Sequence, residues 1–384
     1  MIALALLFVL SGAAGLIYES VWARYISLLV GHSAYAQVIV LVIFLGGMAI
    51  GSIVVGKWSD RIRSPLLWYA IVEAIIAIIA VGFHGAFVAV TDMAYESWLP
   101  SLSPGAAVTS ATWILAALLI LPQSILLGAT FPLMTAGALR RRPKGTGASI
   151  GLLYFANSFG AAIGALVSGF TLVASFGLDG TLRAAAVLNF IVAAGVIAGF
   201  VRPGRDGLGR KQTPDSTKAE GWRTLTRAER VLLAVSFATA FSSFLYEIAW
   251  TRMLSMVNGS ATHSFELMLS AFIFGLAVGA LWISRYADAS DDPMRLLARL
   301  QWAMGLAAIA TLPLYLWSFD WTASLLGAIR DTESGYKLYS VARYAISLSI
   351  MLPATFFAGT TLPLITKILL GSGSGERVIG AVYG

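Results

Sequence analysis

Apolar runs of about twenty residues recur along the whole chain, and nothing else constrains its fold as strongly. A helix of that length spans the ~30 Å hydrocarbon core of a bilayer. Backbone polar groups in lipid must be satisfied internally, which leaves helices or a closed barrel. The runs are continuously apolar rather than alternating, and this excludes the barrel. Composition agrees: 12% of the 384 residues are charged and 58% are hydrophobic, against about 25% charged in a soluble domain. The chain is therefore expected to be an all-α polytopic membrane protein in contact with the lipid bilayer. The first run, Met1 to Val30, ends its apolar part near "SGAAG", which resembles a cleavage site. It lacks a basic n-region, and an internal copy of it lies far downstream, so it is read as the first span.

That copy is part of a duplication. "LIYESVWARYISLLVGHS" (Leu16 to Ser33) returns as "FLYEIAWTRMLSMVNGS" (Phe244 to Ser260), with Glu247 and Arg252 each 228 positions after Glu19 and Arg24. "FLGGMAIGS" at Phe44 matches "FIFGLAVGA" at Phe272 with the same offset. "LPQSILLGATFPLMT" at Leu121 matches "LPATFFAGTTLPLIT" at Leu352, and "IGLLYFANSFG" at Ile150 begins like "IGAVYG" at Ile379.

The first copy, residues 1–201, is expected to hold six helices near 3–30, 34–56, 65–90, 105–139, 147–174 and 181–201. Residues 202–229, polar and rich in Lys and Arg, form a cytoplasmic linker. The second copy, 230–384, gives helices near 230–257, 262–284, 294–318 and 336–370, and an eleventh from Arg377. Residue 384 falls inside the fifth helix of that repeat, so the polypeptide is expected to continue beyond it. Lys57, Arg61, Arg63, Arg140 to Arg142, Lys144, the linker, Arg285, Arg295, Arg299, Lys367 and Arg377 share one side. By the positive-inside rule the N-terminus is cytoplasmic. An even number of spans per copy makes the two repeats parallel, related by an axis along the membrane normal, which is the major facilitator arrangement.

Charges inside a span cost about 2.5–3.5 kcal/mol at the bilayer centre and normally face the bundle interior with partners. Glu19 lies near the midplane and Arg24 about a turn and a half further on. Five residues apart, they do not stack on one helix face. Exchange across the halves is the simpler arrangement: Glu19 with Arg252, and Glu247 with Arg24, if helices one and seven face each other. Two readings stay open. The pairs brace the halves, or the glutamates line a cavity and attract a small cation. Tyr18, Trp22, Tyr246 and Trp250 flank the acids, either as packing or as cation–π partners for an amine. Glu73 and Gln301, also 228 apart, and Asn157 are further polar groups inside spans, and Glu19, Glu73 or Glu247 would be the candidates if protons couple transport. Glu266, Gln37 and Gln123 complete the intramembrane polar set.

"GKWSDRIRSP" from Gly56 carries Gly56, Asp60 and Arg61, with Asp288 as the mate of Asp60. It resembles the Gly-x-x-x-Asp-Arg loop signature of major facilitator transporters, in which the Asp caps a helix end and basic residues bridge to a neighbour. The duplicated Tyr-Glu-x-x-Trp-x-Arg pattern is similar to the membrane part of bacterial spermidine synthase-like proteins. The resemblance covers nearly the whole chain. It implies a major facilitator-like domain fused to a cytosolic aminopropyltransferase-like domain, here expected past residue 384, in the bacterial inner membrane. The chain contains no nucleotide-type glycine loop, Walker loop, hydrolase triad or paired metal ligands, and with no cysteine and three histidines no cofactor or metal is expected. Net charge +7 is accounted for by the basic loops, not by nucleic acid. Three functions follow: binding or translocating a small polyamine-like cation, anchoring a cytosolic transferase, or serving as a structural subunit.

Overall fold

The computed structural model describes residues 1–384 apart from 104, 142–144, 202–225, 259–261, 330–331 and 372–376. Most of the expected linker, with Arg142 and Lys144, lies outside the described residues, as do the side chains of Asp60, His263 and Arg377. The described residues form helices: α1 Ile2–Val30, α2 Ser33–Trp58, α3 Pro65–Met93, α4 Ala106–Arg141, α5 Thr146–Val167, α6 Val173–Phe200, α7 Arg227–Asn258, α8 Thr262–Tyr286, α9 Pro293–Ala328, α10 Glu333–Gly371 and α11 Arg377–Tyr383. Among the described residues, nine continuous helical stretches are long and apolar enough to cross a membrane. One of these runs from Thr146 to Phe200 through a π turn. Its reversal falls at Gly177, whose φ of 68° and ψ of −173° suit only a residue without Cβ. The fifth span therefore extends a few residues into α6 by label, close to the boundary expected near 174–181.

The packing repeats as the sequence does. α2 lies along α4, and α8 lies along α10. Close approach is set by glycines at matching positions. A Cβ on Gly51 would overlap the Ile125 carbonyl, and one on Gly279 would overlap that of Phe356. Gly128 and Gly359 meet the Met48 and Leu276 carbonyls in return. Small residues at such crossings replace the hydrophobic drive that lipid does not supply. Gly51→Val is expected to force the pair apart at a cost of about 1–3 kcal/mol or more. Size-exclusion chromatography in detergent checks this as loss of the monodisperse peak.

Between the halves the main contact is α5 on α8, and its counterpart is α11 on α2. The two contacts are equivalent under the repeat: Gly151 meets Ser284, and Gly380 meets Gly56. α6 covers α1 and α3 in the first half. The corresponding face of α7 and α9 forms an apolar groove of about 960 Å³ whose lining includes Tyr246, Trp250 and Gln301.

Candidate functional site

The exchanged ion pairs expected across helices one and seven do not form. Arg24 Nη2 instead meets Glu266 Oε1 at 2.6 Å, and Arg252 is exposed. The cause is the wedge of α5 and α8. These helices carry the interface, and α1 and α7 make at most a glancing contact. The long arm of Arg24 then finds the nearest carboxyl at the start of α8. Glu266 in turn lies flat on Gly169, where a Cβ would stand 2.7 Å from its Cγ and Cδ.

Among the described residues Glu19 and Glu247 are left without basic partners. They are 3% and 9% exposed, and among the described residues neither side chain makes a hydrogen bond; Glu247 Oε1 is fully enclosed. Glu19 lies within electrostatic reach of Glu247. Two buried carboxyls with no cation from the described part of the protein are unfavourable unless a proton or a bound cation compensates them.

The aromatic neighbours turn away from this pair. Tyr18 stacks on Trp22 at 5.8 Å, and Trp22 fits between Phe44 and Phe83 in the core of the first half. Tyr246 stacks on Trp250 at 5.4 Å, and Trp250 rests on Phe272. Tyr18 also donates to Asn189, and Tyr246 and Trp250 line the groove beside α9. Asn157 is half-buried on α5 against Gly12 of α1.

Glu73 sits at the centre of a second buried network. It accepts from Ser11 Oγ at 2.5 Å and from Asn189 Nδ2, while Tyr18 donates to Asn189 Oδ1 at 2.7 Å. In the second half Thr239 donates to Gln301 Oε1 at 3.2 Å, and Gln301 donates to Thr361 at 2.7 Å. Thr239 follows Ser11 by 228 positions, as Gln301 follows Glu73. One hydroxyl-to-carbonyl contact is thus built twice, once on a carboxyl and once on an amide. Ser11 and Asn189 did not stand out in the sequence, although the repeat offset would have picked out the Ser11/Thr239 pair.

At the basic end of the bundle Asp288 accepts from the backbone N–H groups of Gly147 at 3.1 Å and Ala148 at 2.9 Å, and lies 3.6 Å from Lys367 Nζ. A carboxylate from one half thereby caps the first turn of α5 in the other and complements its dipole. Arg61 lies over the Trp58 ring, 5.6 Å from its centroid. Asp288→Ala is expected to cost about 1–2 kcal/mol through the lost cap, seen as a lower SDS-unfolding midpoint, with Asp288→Asn intermediate.

No cluster of three or more His, Asp or Glu suited to a metal occurs among the described residues. What the geometry defines is a polytopic helical bundle of two similar halves with acidic groups buried at their meeting. The sequence profile of the Major Facilitator Superfamily matches residues 1–370, and the chain belongs to that family as a multi-pass, transporter-like membrane domain. Among curated proteins, polyamine aminopropyltransferase 1 of Streptomyces coelicolor is similar, 27% identical over 189 residues, which is 49% of this chain and 32% of that protein. The match thus spans about a third of the length of that relative.

Proposed function

We propose that the two halves bind, and pass across the membrane, a small organic cation of polyamine type, held by Glu19 and Glu247. The observation that carries this reading is the pair of repeat-related, buried carboxyls with no basic side chain paired to them among the described residues. Arg24 does brace the halves, but through Glu266 rather than Glu247, and Arg252 is exposed, so neither arginine compensates Glu19 or Glu247. Ammonium groups are the complement such a pair lacks, and charge-assisted hydrogen bonds are the strong kind. The partial likeness to a polyamine aminopropyltransferase suggests the substrate class. If protons couple transport, Glu73, held in its own network, is a proton-site candidate beside Glu19 and Glu247. The division into 1–201, 202–229 and 230–384, a cytoplasmic N-terminus and the bacterial inner membrane belong to the same proposal. Purified protein in nanodiscs should bind labelled spermidine saturably, and proteoliposomes should accumulate it; absence of saturable binding would sink the reading.

The likeness to an aminopropyltransferase also favours a second reading, in which this domain anchors a cytosolic transferase. A full-length gene product that transfers aminopropyl groups while its membrane part binds no amine would decide for the anchor.

A further inference from the structure

At the end of the bundle opposite Asp288 and Lys367, the Arg24–Glu266 pair ties α1 of the first half to the start of α8 in the second. A pocket of about 240 Å³ lies against the pair, with Ser27, Ser33 and Gln37 among its polar lining. Access from this end stops there: the Arg24 side chain is 21% exposed and that of Glu266 only 1%. Ser20 is buried and directs its hydroxyl to Glu266 Oε1, 3.5 Å away. Glu19 adjoins Ser20, itself buried, and lies roughly 7 Å deeper along the axis of α1 than Arg24, at ~1.5 Å per residue.

The contact holds but is incomplete. Arg24 Nη2 meets Glu266 Oε1 at 2.6 Å, while Arg24 Nε and Glu266 Oε2 are enclosed with no hydrogen-bond partner. Enclosing those two groups loses hydration that the pair returns only in part. Separating the side chains would hydrate both groups and forfeit one charged hydrogen bond. The two effects oppose each other, so the joined and separated arrangements lie closer in energy than they would for a fully satisfied pair. Glu266 rests on Gly169, which presents no side chain to trap it. In proteins built from two membrane repeats, one repeat rocks against the other around a midplane site, and contacts between the repeats at the opening end then break.

We propose that the Arg24–Glu266 pair is a gate: joined, it shuts this end of the bundle against the Glu19/Glu247 site, and its separation opens that site to this side of the membrane. The identity of what passes rests on the cation reading above; the gate itself does not. A guanidinium at the entrance also repels free cations while the gate is closed, so a cation enters only after Arg24 has moved aside.

The test uses Ser20→Cys as a reporter behind the pair, in a chain that has no other cysteine. Its labelling by a small neutral maleimide is timed in nanodiscs with the native pair, with Arg24→Gln and Glu266→Gln together, and with the exchanged pair Arg24→Glu and Glu266→Arg. Loss of the charged contact should speed labelling about tenfold or more, and the exchanged pair should label as slowly as the native one. Equal rates in all three folded proteins would show a fixed brace and overturn the gate. A second arm keeps the question open to decision if the neutral pair fails to fold. Arg24→Cys and Glu266→Cys, joined by a short bis-thiol reagent that reductant cleaves, should stop spermidine accumulation in proteoliposomes, and reductant should restore it. Undiminished accumulation in fully linked protein would overturn the gate. Fast labelling of the neutral pair in protein that binds no spermidine would instead uphold the gate and remove the cation reading.

Discussion

Replacing Glu19 and Glu247 together by glutamine is expected to weaken spermidine binding by two orders of magnitude or more, with each single variant intermediate. A hydrogen bond to a charged group contributes about 1.5–3 kcal/mol, which is roughly tenfold to a hundredfold in affinity. Both carboxyls are enclosed, so water does not screen them, and neither has a basic neighbour among the described residues to take over the role. Glutamine preserves shape and removes the charge, so the folded yield should not fall. It should rise slightly, because two buried, uncompensated carboxyls are replaced by neutral amides. Equilibrium dialysis of the four proteins checks the series. Wild-type affinity in the double variant would exclude these residues from the site.

The second large effect concerns stability. Arg24→Ala leaves Glu266 buried beside Gly169 with its charge uncompensated. Breaking a buried pair from one side costs about 3–5 kcal/mol. Arg24 is 21% exposed, so the lower end, about 3 kcal/mol, is expected. Adding Glu266→Gln should recover more than half of the loss, because the penalty belongs to the stranded carboxylate. SDS-unfolding midpoints of the three variants measure this coupling directly. An unchanged midpoint in Arg24→Ala would mean that the pair is replaced by water at no cost.

The helical architecture was legible in the sequence because it rests on run length and on a repeat. The 228-residue offset that pairs Glu19 with Glu247 also pairs Gly51 with Gly279, and these do mark equivalent close crossings. What the sequence did not reveal is which faces meet. Equivalent positions in two halves need not face each other. The offset suggested Glu19 with Arg252, but the wedge of α5 and α8 holds α1 and α7 apart and turns Arg24 to Glu266. Glu266 was visible as a charge in a span, yet its partner depends on helix rotation, which an apolar helix buried on several sides does not encode. Tyr18 and Trp22 illustrate the same limit. They flank Glu19 in sequence, Tyr18 about 100° and Trp22 about 60° away around the helix, and their rings pack into the core of the first half. The capping role of Asp288 was easier to anticipate, since an acid at a loop end has few uses other than a neighbouring helix N-terminus.

The claim on which the account depends is that Glu19 and Glu247 approach each other across the two halves around a cation site. The chain has no cysteine, so thiols introduced by Glu19→Cys and Glu247→Cys are the only ones present. Treatment of that protein with a short bis-thiol reagent, followed by mass spectrometry of the linked peptides, measures the approach. With Glu19→Cys alone, labelling by a small cationic thiol reagent measures access to the site, and spermidine competes for it. The account predicts a cross-link between positions 19 and 247, and labelling of the single variant that spermidine slows. No cross-link in protein whose thiols are both shown to react, or labelling that spermidine leaves unchanged, would contradict it.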